Sequence, residues 1–181
     1  MSETLKVVDK DKPHFITTTV TVWLKVFEEP TFANTIIQSL QFCQREKGLE
    51  IFAYCLMPDH LHMIARAPDL PAAMRDFKKF TAKLITSKLE ETEHKMKWLH
   101  QFEKDGKRLK RIEKYKFWRD GFHPIELGNN DIIKQKMIYI HNNPVKAGIV
   151  KNQEDYWYSS ARNYAELDYP LEVILIPEAL R

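Results

Sequence analysis

The sequence predicts an α+β fold in which a mostly antiparallel sheet carries helices mainly on one face. Three observations lead to this prediction. Amphipathic helical patterns alternate with short apolar runs, a tight turn separates two of those runs, and 181 residues suit a single domain with a substantial core. The segments follow one another as strand, helix, strand, strand, helix, strand and helix. The first six therefore have the β-α-β-β-α-β order of the ferredoxin-like plait.

The first half of the chain contains three predicted strands and one helix. Residues 15–27 are rich in β-branched and aromatic side chains, which favours a strand. Apolar side chains recur at helical spacing over residues 30–48, between a starting proline and a terminating glycine. Residues 51–57 form a short apolar run typical of a buried strand, and residues 60–67 form the next strand after a tight break at 58–59.

A long helical pattern and a further extended segment follow. The helical pattern covers residues 69–102 and is expected to break after Glu93. Residues 116–127 are predicted to be extended and supply the fourth strand. One domain is expected over the whole chain, with a core of about 13–164. The tail, 165–181, is interpreted as a strand that either covers the functional site or pairs with a second subunit.

Composition and cysteine usage bound the class of protein. Hydrophobic residues make up 44% of the chain and charged residues 29%, which is typical of a globular protein. No apolar run is long enough to span a bilayer, and the first residues are too charged for a secretory signal, so a cytoplasmic protein is expected. Cys43 and Cys55 lack CxxC spacing and are predicted to be reduced core residues.

Cationic residues are concentrated between Lys95 and Arg119. This stretch has ten cationic and three acidic residues, although the net charge of the whole chain is only +3. Aromatic side chains lie between the charges. Two interpretations are open: a groove that binds phosphates and unstacked bases, or a solvated face over core aromatics. The candidate DNA-binding residues are Lys95, Lys97, Trp98, Lys107, Arg108, Lys110, Arg111, Lys114, Lys116 and Arg119.

Two histidines lie one residue apart in the stretch "MPDHLHMIARAP". On a strand, His60 and His62 point to the same face, while Leu61 between them points into the helix-covered core. The two imidazoles can converge on one metal ion, but two ordinary histidines on a solvated face would give the same pattern. No cysteine or HExxH motif supplies the further ligand that zinc requires.

The last predicted helix carries a second group of polar residues, in "YIHNNPVKAG". Asn130 or Asp131 is the predicted cap, and the helix is expected to stop near Pro144 because proline has no backbone N–H. Tyr139 and Asn143 then lie one turn apart on one face. Taken singly, an amphipathic core tyrosine and a C-cap asparagine explain the two residues more simply than a function does.

The combination of the two motifs points to chemistry on a phosphodiester. Asparagine can bind a metal through its carbonyl oxygen, and a metal beside a tyrosine both stabilises the phenolate and polarises a phosphoryl oxygen. The product would be a phosphotyrosyl ester, which keeps the energy of the broken bond. A free 3′-hydroxyl can therefore reverse the step, which favours cutting and rejoining over hydrolysis.

In these residues the chain resembles the IS200-like single-tyrosine transposases of the HUH nuclease superfamily. "MPDHLHMI" is similar to their His-hydrophobe-His strand. "YIHNNPVKAGIV" followed by "YWYSSARNY" is similar to the branch called REP-associated tyrosine transposases, and the resemblance covers about residues 13–164. The resemblance is specific because three motifs occur together in one order. HxH precedes Y-x-x-x-N-P-V-K by about eighty residues, and W-x-S-S follows.

The resemblance implies cleavage and rejoining of single-stranded DNA at hairpin-bearing ends through a 5′-phosphotyrosine, with Mg²⁺ or Mn²⁺ as cofactor. By position it implies that Tyr139 is the nucleophile, that His60, His62 and Asn143 are metal ligands, and that His141 lines the site. The rival tyrosines are Tyr115, Tyr156 and Tyr158. The implied partner is single-stranded or hairpin DNA, bound by a monomer or a homodimer. Two alternatives stay open: a domesticated hairpin-binding protein that does not cut, and an RNA- or metal-binding protein that matches by coincidence.

Overall fold

The computed structural model describes residues 9–92, 96–107 and 114–177 and has an α+β fold. One sheet contains the strands β1 (His14–Thr19), β2 (Glu50–Leu56), β3 (His60–Arg66) and β4 (Ile125–Glu126). The helices are α1 (Pro30–Lys47), α2 (Leu70–Glu90), α3 (Met96–Gly106), α4 (Asn130–Lys146) and α5 (Ala161–Tyr164). Within this part of the chain, no helix combines the length and apolar character needed to cross a membrane.

The sheet has the strand order β2-β3-β1-β4, and every neighbouring pair is antiparallel. Both β1 and β2 are antiparallel to β3, so they run in the same direction with β3 between them. Helix α1 connects β1 to β2, and α2 with α3 connects β3 to β4. This is the arrangement of the ferredoxin-like plait, which confirms the predicted fold class.

The first strand is shorter than the sequence predicts, because it ends at Thr19. Val22 and Trp23 have φ values of 50° and 52°, which turn the chain out of the strand and into short 3-10 turns. The amide of Val20 donates to the carbonyl of Asp59, so this segment wraps around the turn between β2 and β3. These non-local bonds override a strong local preference for strand.

The ends of the later elements also differ from the predictions. The long helical pattern divides into α2 and α3, and the predicted extended segment pairs in the sheet only at Ile125–Glu126. Asn129 caps α4 in place of Asn130 or Asp131, since its side chain accepts a hydrogen bond from the amide of Ile132. Pro144 lies inside α4, which ends two residues later at Lys146.

The sheet separates two apolar cores. The larger core lies between the sheet and α1, α2 and α3, and it contains Leu61 and Met63 of β3. The second core lies against α4 and contains Ile64 together with Met137 and Ile140. Helices therefore lie mainly on one face, with α4 on the other. Because side chains alternate along a strand, His60 and His62 face α4. The prediction for the cysteines is confirmed, since both are buried and free.

The described part of the tail, residues 165–177, packs along the outer edge of β2. The amide of Ile174 donates to the carbonyl of Ile51, and Leu171 and Val173 are buried in the larger core. Ile51 lies at the end of β2 that is remote from His60, because β2 pairs with β3 from Glu50↔Arg66 to Leu56↔Leu61. The tail therefore covers a sheet edge and lies away from the histidine pair.

Candidate functional site

His60 and His62 lie side by side on the sheet face that α4 covers. Their ring centroids are 4.6 Å apart, and His62 is buried. Strand β3 is hydrogen-bonded to β1 on one side and to β2 on the other, so its backbone position is determined on both edges. The backbone that carries the two imidazoles is therefore held in place by hydrogen bonds on both sides.

One neighbour orients each imidazole. Asp59 Oδ1 lies 2.5 Å from His60 Nδ1, and Thr17 Oγ1 lies 2.8 Å from His62 Nδ1. With Nδ1 engaged, Nε2 is the nitrogen that each ring presents to a ligand. Sequence reasoning selected neither Asp59 nor Thr17. Asp59 could have been found from its place beside His60, whereas Thr17 is found only through the pairing of β1 with β3.

The environment keeps His62 neutral. Burial, with smaller contributions from His60 and Lys136, lowers the pKa of His62 to about 3. The ring therefore carries no charge across the physiological pH range, and a neutral imidazole is the form with a lone pair for a metal.

Tyr139 projects from α4 over the same sheet face. Its hydroxyl oxygen lies 3.4 Å from His62 Nε2, and its ring meets that of His62 edge-on at 5.2 Å between centroids. Phe15 of β1 stacks on His62 and contacts the ring of Tyr139 edge-on. Tyr139 nevertheless remains 40% exposed, so part of its side chain is open to a ligand.

Two lysines of α4 flank the tyrosine. The ammonium groups of Lys136 and Lys146 each lie 5.9 Å from the centroid of the Tyr139 ring. Lys136 also lies 4.7 Å from the centroid of Phe15. Lys136 lies three residues before Tyr139 and Lys146 seven residues after it, so helical periodicity places both lysines on the same side of α4 as Tyr139. Positive charge at this position stabilises a phenolate or a phosphate, and sequence reasoning selected neither lysine.

Asn143 lies one turn after Tyr139 on α4. Its amide nitrogen is 3.4 Å from the carbonyl oxygen of Tyr139, so the side-chain oxygen, the atom that can bind a metal, remains available. No hydrogen bond joins Asn143 to either histidine among the described residues. The same residues contain no group of three or more His, Cys, Asp and Glu side chains that could hold a metal.

His141 points away from the histidine pair. Two residues along a helix correspond to a rotation of about 200°, so His141 and Tyr139 face opposite ways. His141 Nε2 lies 2.8 Å from the hydroxyl oxygen of Ser160, which also bonds to the backbone of Tyr54. The structure thus connects His141 to β2 through the W-x-S-S segment.

Acid is expected to destabilise the fold through His141, because burial lowers its pKa to about 4. The folded state keeps this ring neutral, whereas the unfolded chain takes up a proton below about pH 6.5. The free energy of unfolding should therefore fall between pH 6.5 and 4, by up to about 3 kcal/mol from this group. Urea unfolding of the wild type and of His141→Gln between pH 7 and 4.5 should show a shallower pH dependence in the variant. Parallel curves would contradict this assignment.

The aromatic residues in the described part of the basic segment lie on the opposite face of the sheet from the histidines. The rings of Phe102, Phe117 and Trp118 are buried in the larger core, and Trp98 and Tyr115 pack against it. For the described residues, this arrangement matches the second interpretation of the basic segment given above, a solvated face over core aromatics. The three buried rings are not available to unstacked bases, whereas Trp98 and Tyr115 are only partly buried.

The cations of this segment have several environments. Lys97 is exposed on α3. Lys107 pairs with Glu103, Lys114 pairs with Glu90, and Lys116 pairs with both Asp105 and Asp120. Arg119 differs, because its amide donates to the carbonyl of Thr19, the residue of β1 opposite His60. Four candidates lie outside the described residues: Lys95, Arg108, Lys110 and Arg111.

Comparisons with known proteins bear on the family and the fold of this chain. A sequence profile of the family described as "Transposase IS200 like" matches residues 8–143, a range that includes both histidines, the tyrosine and the asparagine. A solved structure of a REP-associated tyrosine transposase bound to a REP hairpin is similar to this chain, with a TM-score of 0.67 and 21% sequence identity. The similarity covers 98% of this chain and 94% of that chain, and at this identity it shows a shared fold. No curated protein matches the sequence.

Proposed function

Because the chain belongs to the family of IS200-like transposases, we propose that it cuts and rejoins single-stranded DNA at hairpin-containing ends. The reaction proceeds through a 5′-phosphotyrosine and depends on a divalent metal. The observation that carries the proposal is the 3.4 Å distance between the Tyr139 hydroxyl and His62 Nε2. It supports the proposal because the hydroxyl that would act as the nucleophile lies beside the nitrogen that would bind the metal.

The residues at the site fit a divalent cation. His60 and His62 each present Nε2 on the same face, and the side-chain oxygen of Asn143 is the third ligand in this proposal. When bound, Mg²⁺ or Mn²⁺ polarises a phosphoryl oxygen and favours the phenolate. Since imidazole binds Mn²⁺ more readily than the harder Mg²⁺, we expect the tighter binding with Mn²⁺.

In the cutting step, the Tyr139 oxygen attacks phosphorus and the bond from phosphorus to the 3′-oxygen breaks. The phenolic proton passes to water, and the departing 3′-oxygen takes up a proton to become a hydroxyl. Lys136 and Lys146 stabilise the negative charge that forms around the phosphate. Attack by the 3′-hydroxyl of another strand reverses the step without a nucleotide cofactor.

Tyr139 and the histidine pair meet within one chain. This observation supports a site that is complete in a monomer, because no residue from a second subunit is needed to place the nucleophile. The proposed partner is a DNA hairpin with a single-stranded flank, and the similar solved structure holds a REP hairpin. Recognition of the hairpin stem would rest on shape and phosphates, which cations contact without reading bases.

An adduct assay tests the proposal. The purified protein is mixed with hairpin oligonucleotides that carry randomised single-stranded flanks and a fluorophore at the 5′ or the 3′ end, with Mn²⁺, Mg²⁺ or EDTA. We expect a protein-linked product on a denaturing gel only with metal and only with the 3′ label, since the tyrosine retains the 5′ end of the downstream fragment. Tight hairpin binding without an adduct under any divalent metal would instead support the domesticated binding protein.

A further inference from the structure

An exposed tryptophan occupies a strained turn just beyond β1. The side chain of Trp23 is 59% exposed, although tryptophan is usually well buried. Trp23 and its neighbour Val22 both have positive φ, which is costly for any side chain and most unusual for a β-branched one. Backbone strain of this kind concentrates where a side chain must be held in position for a ligand.

An arginine covers one face of this tryptophan. The guanidinium carbon of Arg119 lies 4.2 Å from the ring centroid of Trp23. In the described part of the chain, no carboxylate or carbonyl oxygen pairs with that guanidinium. Its five N–H donors are therefore available to an anion, and the remaining exposure of Trp23 leaves ring surface for a second stacking partner.

The backbone of Arg119 lies close to the histidine pair along the sheet. Arg119 follows Trp118, which forms an isolated antiparallel bridge with Val20, the residue after β1. The Arg119 backbone bonds to Thr19, which is paired with His60. Two strand spacings separate Arg119 from His60, which amounts to about 10 Å. That distance is about three nucleotides of a stacked single strand.

A second exposed tryptophan provides an internal comparison. Arg162 lies over the ring of Trp157 at 5.1 Å from its centroid, but its guanidinium donates to the carbonyls of Glu154 and Asp168. That arginine therefore holds the protein's own loops together. Arg119 makes no comparable bonds among the described residues, which is why the observations favour Trp23 as the ligand-binding ring.

We propose that Trp23 and Arg119 form a subsite for one unpaired nucleotide that flanks the cleaved phosphate. The indole stacks on the base, and the guanidinium contacts the adjoining phosphate. Aromatic stacking accepts any base, so the subsite would position the strand without reading its sequence. This inference rests on the proposed function, because it describes how the same site would hold its single strand.

A fluorescence scan tests the subsite without requiring cleavage. In a Tyr139→Phe background, 2-aminopurine is moved one position at a time through the single-stranded flank of a hairpin oligonucleotide. We expect quenching at one position near the cleavage point, and its loss in Trp23→Leu. An abasic nucleotide at that position should weaken binding by about 5- to 100-fold in the parent and have little effect in Trp23→Leu. Trp23→Phe should keep part of the quenching, and Arg119→Gln should reduce the salt dependence of binding by about one phosphate contact.

Trp157→Leu is the matched control and should retain the quenching. Equal abasic effects in the parent and in Trp23→Leu, or loss of quenching in Trp157→Leu alone, would overturn the subsite. A scan on a hairpin-free strand separates this proposal from the proposed function. If quenching on that strand depends on Trp23, the subsite is supported even when the protein does not nick DNA. If nicking occurs equally well in Trp23→Leu, the proposed function is supported and the subsite is contradicted.

Discussion

Replacement of Tyr139 by phenylalanine is expected to abolish the covalent protein–DNA adduct while leaving hairpin binding within about threefold of the wild type. The phenyl ring keeps the edge-on contacts with His62 and Phe15, so the fold and the surface around the site are retained. Only the attacking oxygen is lost, and removal of a nucleophile costs about 10⁴-fold or more in rate. Adduct yield on a denaturing gel and fluorescence anisotropy of labelled hairpin DNA measure the two effects separately.

Two other tyrosines serve as controls for this prediction. The Tyr156 hydroxyl donates to the carbonyl of Leu56, and the Tyr158 hydroxyl donates to Asn34 Oδ1. Burial raises the pKa of Tyr156 well above its ordinary range, which disfavours its phenolate. Tyr156→Phe and Tyr158→Phe should therefore still form the adduct. An adduct that persists in Tyr139→Phe would show that another residue is the nucleophile.

Replacement of His62 is expected to weaken metal binding by more than about 100-fold and to abolish nicking. His62 would supply one of the two imidazole ligands, and its Nε2 is the nitrogen that faces Tyr139. His62→Gln keeps much of the volume of this buried side chain and is preferable to His62→Ala, which would leave a cavity. Calorimetric titration with Mn²⁺ gives the affinity, and circular dichroism checks the fold.

The residues that orient the imidazoles should have smaller effects on the same measurement. Thr17→Val removes the oxygen beside His62 Nδ1, and Asp59→Asn removes the carboxylate beside His60 Nδ1. Each is expected to cost about 10- to 100-fold in metal affinity, as for other outer partners of metal-bound histidines. His141→Gln should leave the affinity unchanged, because His141 binds Ser160 on the other side of α4. Wild-type Mn²⁺ affinity in His62→Gln would contradict the ligand assignment.

Local patterns were sufficient for most of the secondary structure. Helix α1 begins at Pro30 and is capped by Gly48 in a left-handed conformation, as the proline and the glycine indicate. The predictions were least accurate where distant parts of the chain compete with local preference. Strand β1 stops at Thr19 because the following residues bond to the β2–β3 turn. Helix α4 continues past Pro144 because a hydrogen bond from the amide of Ala147 to the carbonyl of Asn143 completes its last turn.

Residue chemistry and residue spacing were both evident in the sequence. Alternation along a strand places His60 and His62 on one face, and helical periodicity places Tyr139 and Asn143 one turn apart. Both patterns depend only on residues that are close together in the sequence. The sequence also presented a cationic, aromatic segment but left its role open. In the structure, three rings of that segment, Phe102, Phe117 and Trp118, are buried on the other side of the sheet.

Only the tertiary structure decided that the two motifs meet. Met137 and Ile140 bury one side of α4 against the sheet, and this packing brings Tyr139 over His62. The pairing of β1 with β3 likewise brings Thr17 to His62. The physical reason is that a repeat along the chain determines which side of an element is apolar. The apolar surface against which that side packs depends on contacts between residues far apart in the sequence. Those contacts form only when the whole core packs.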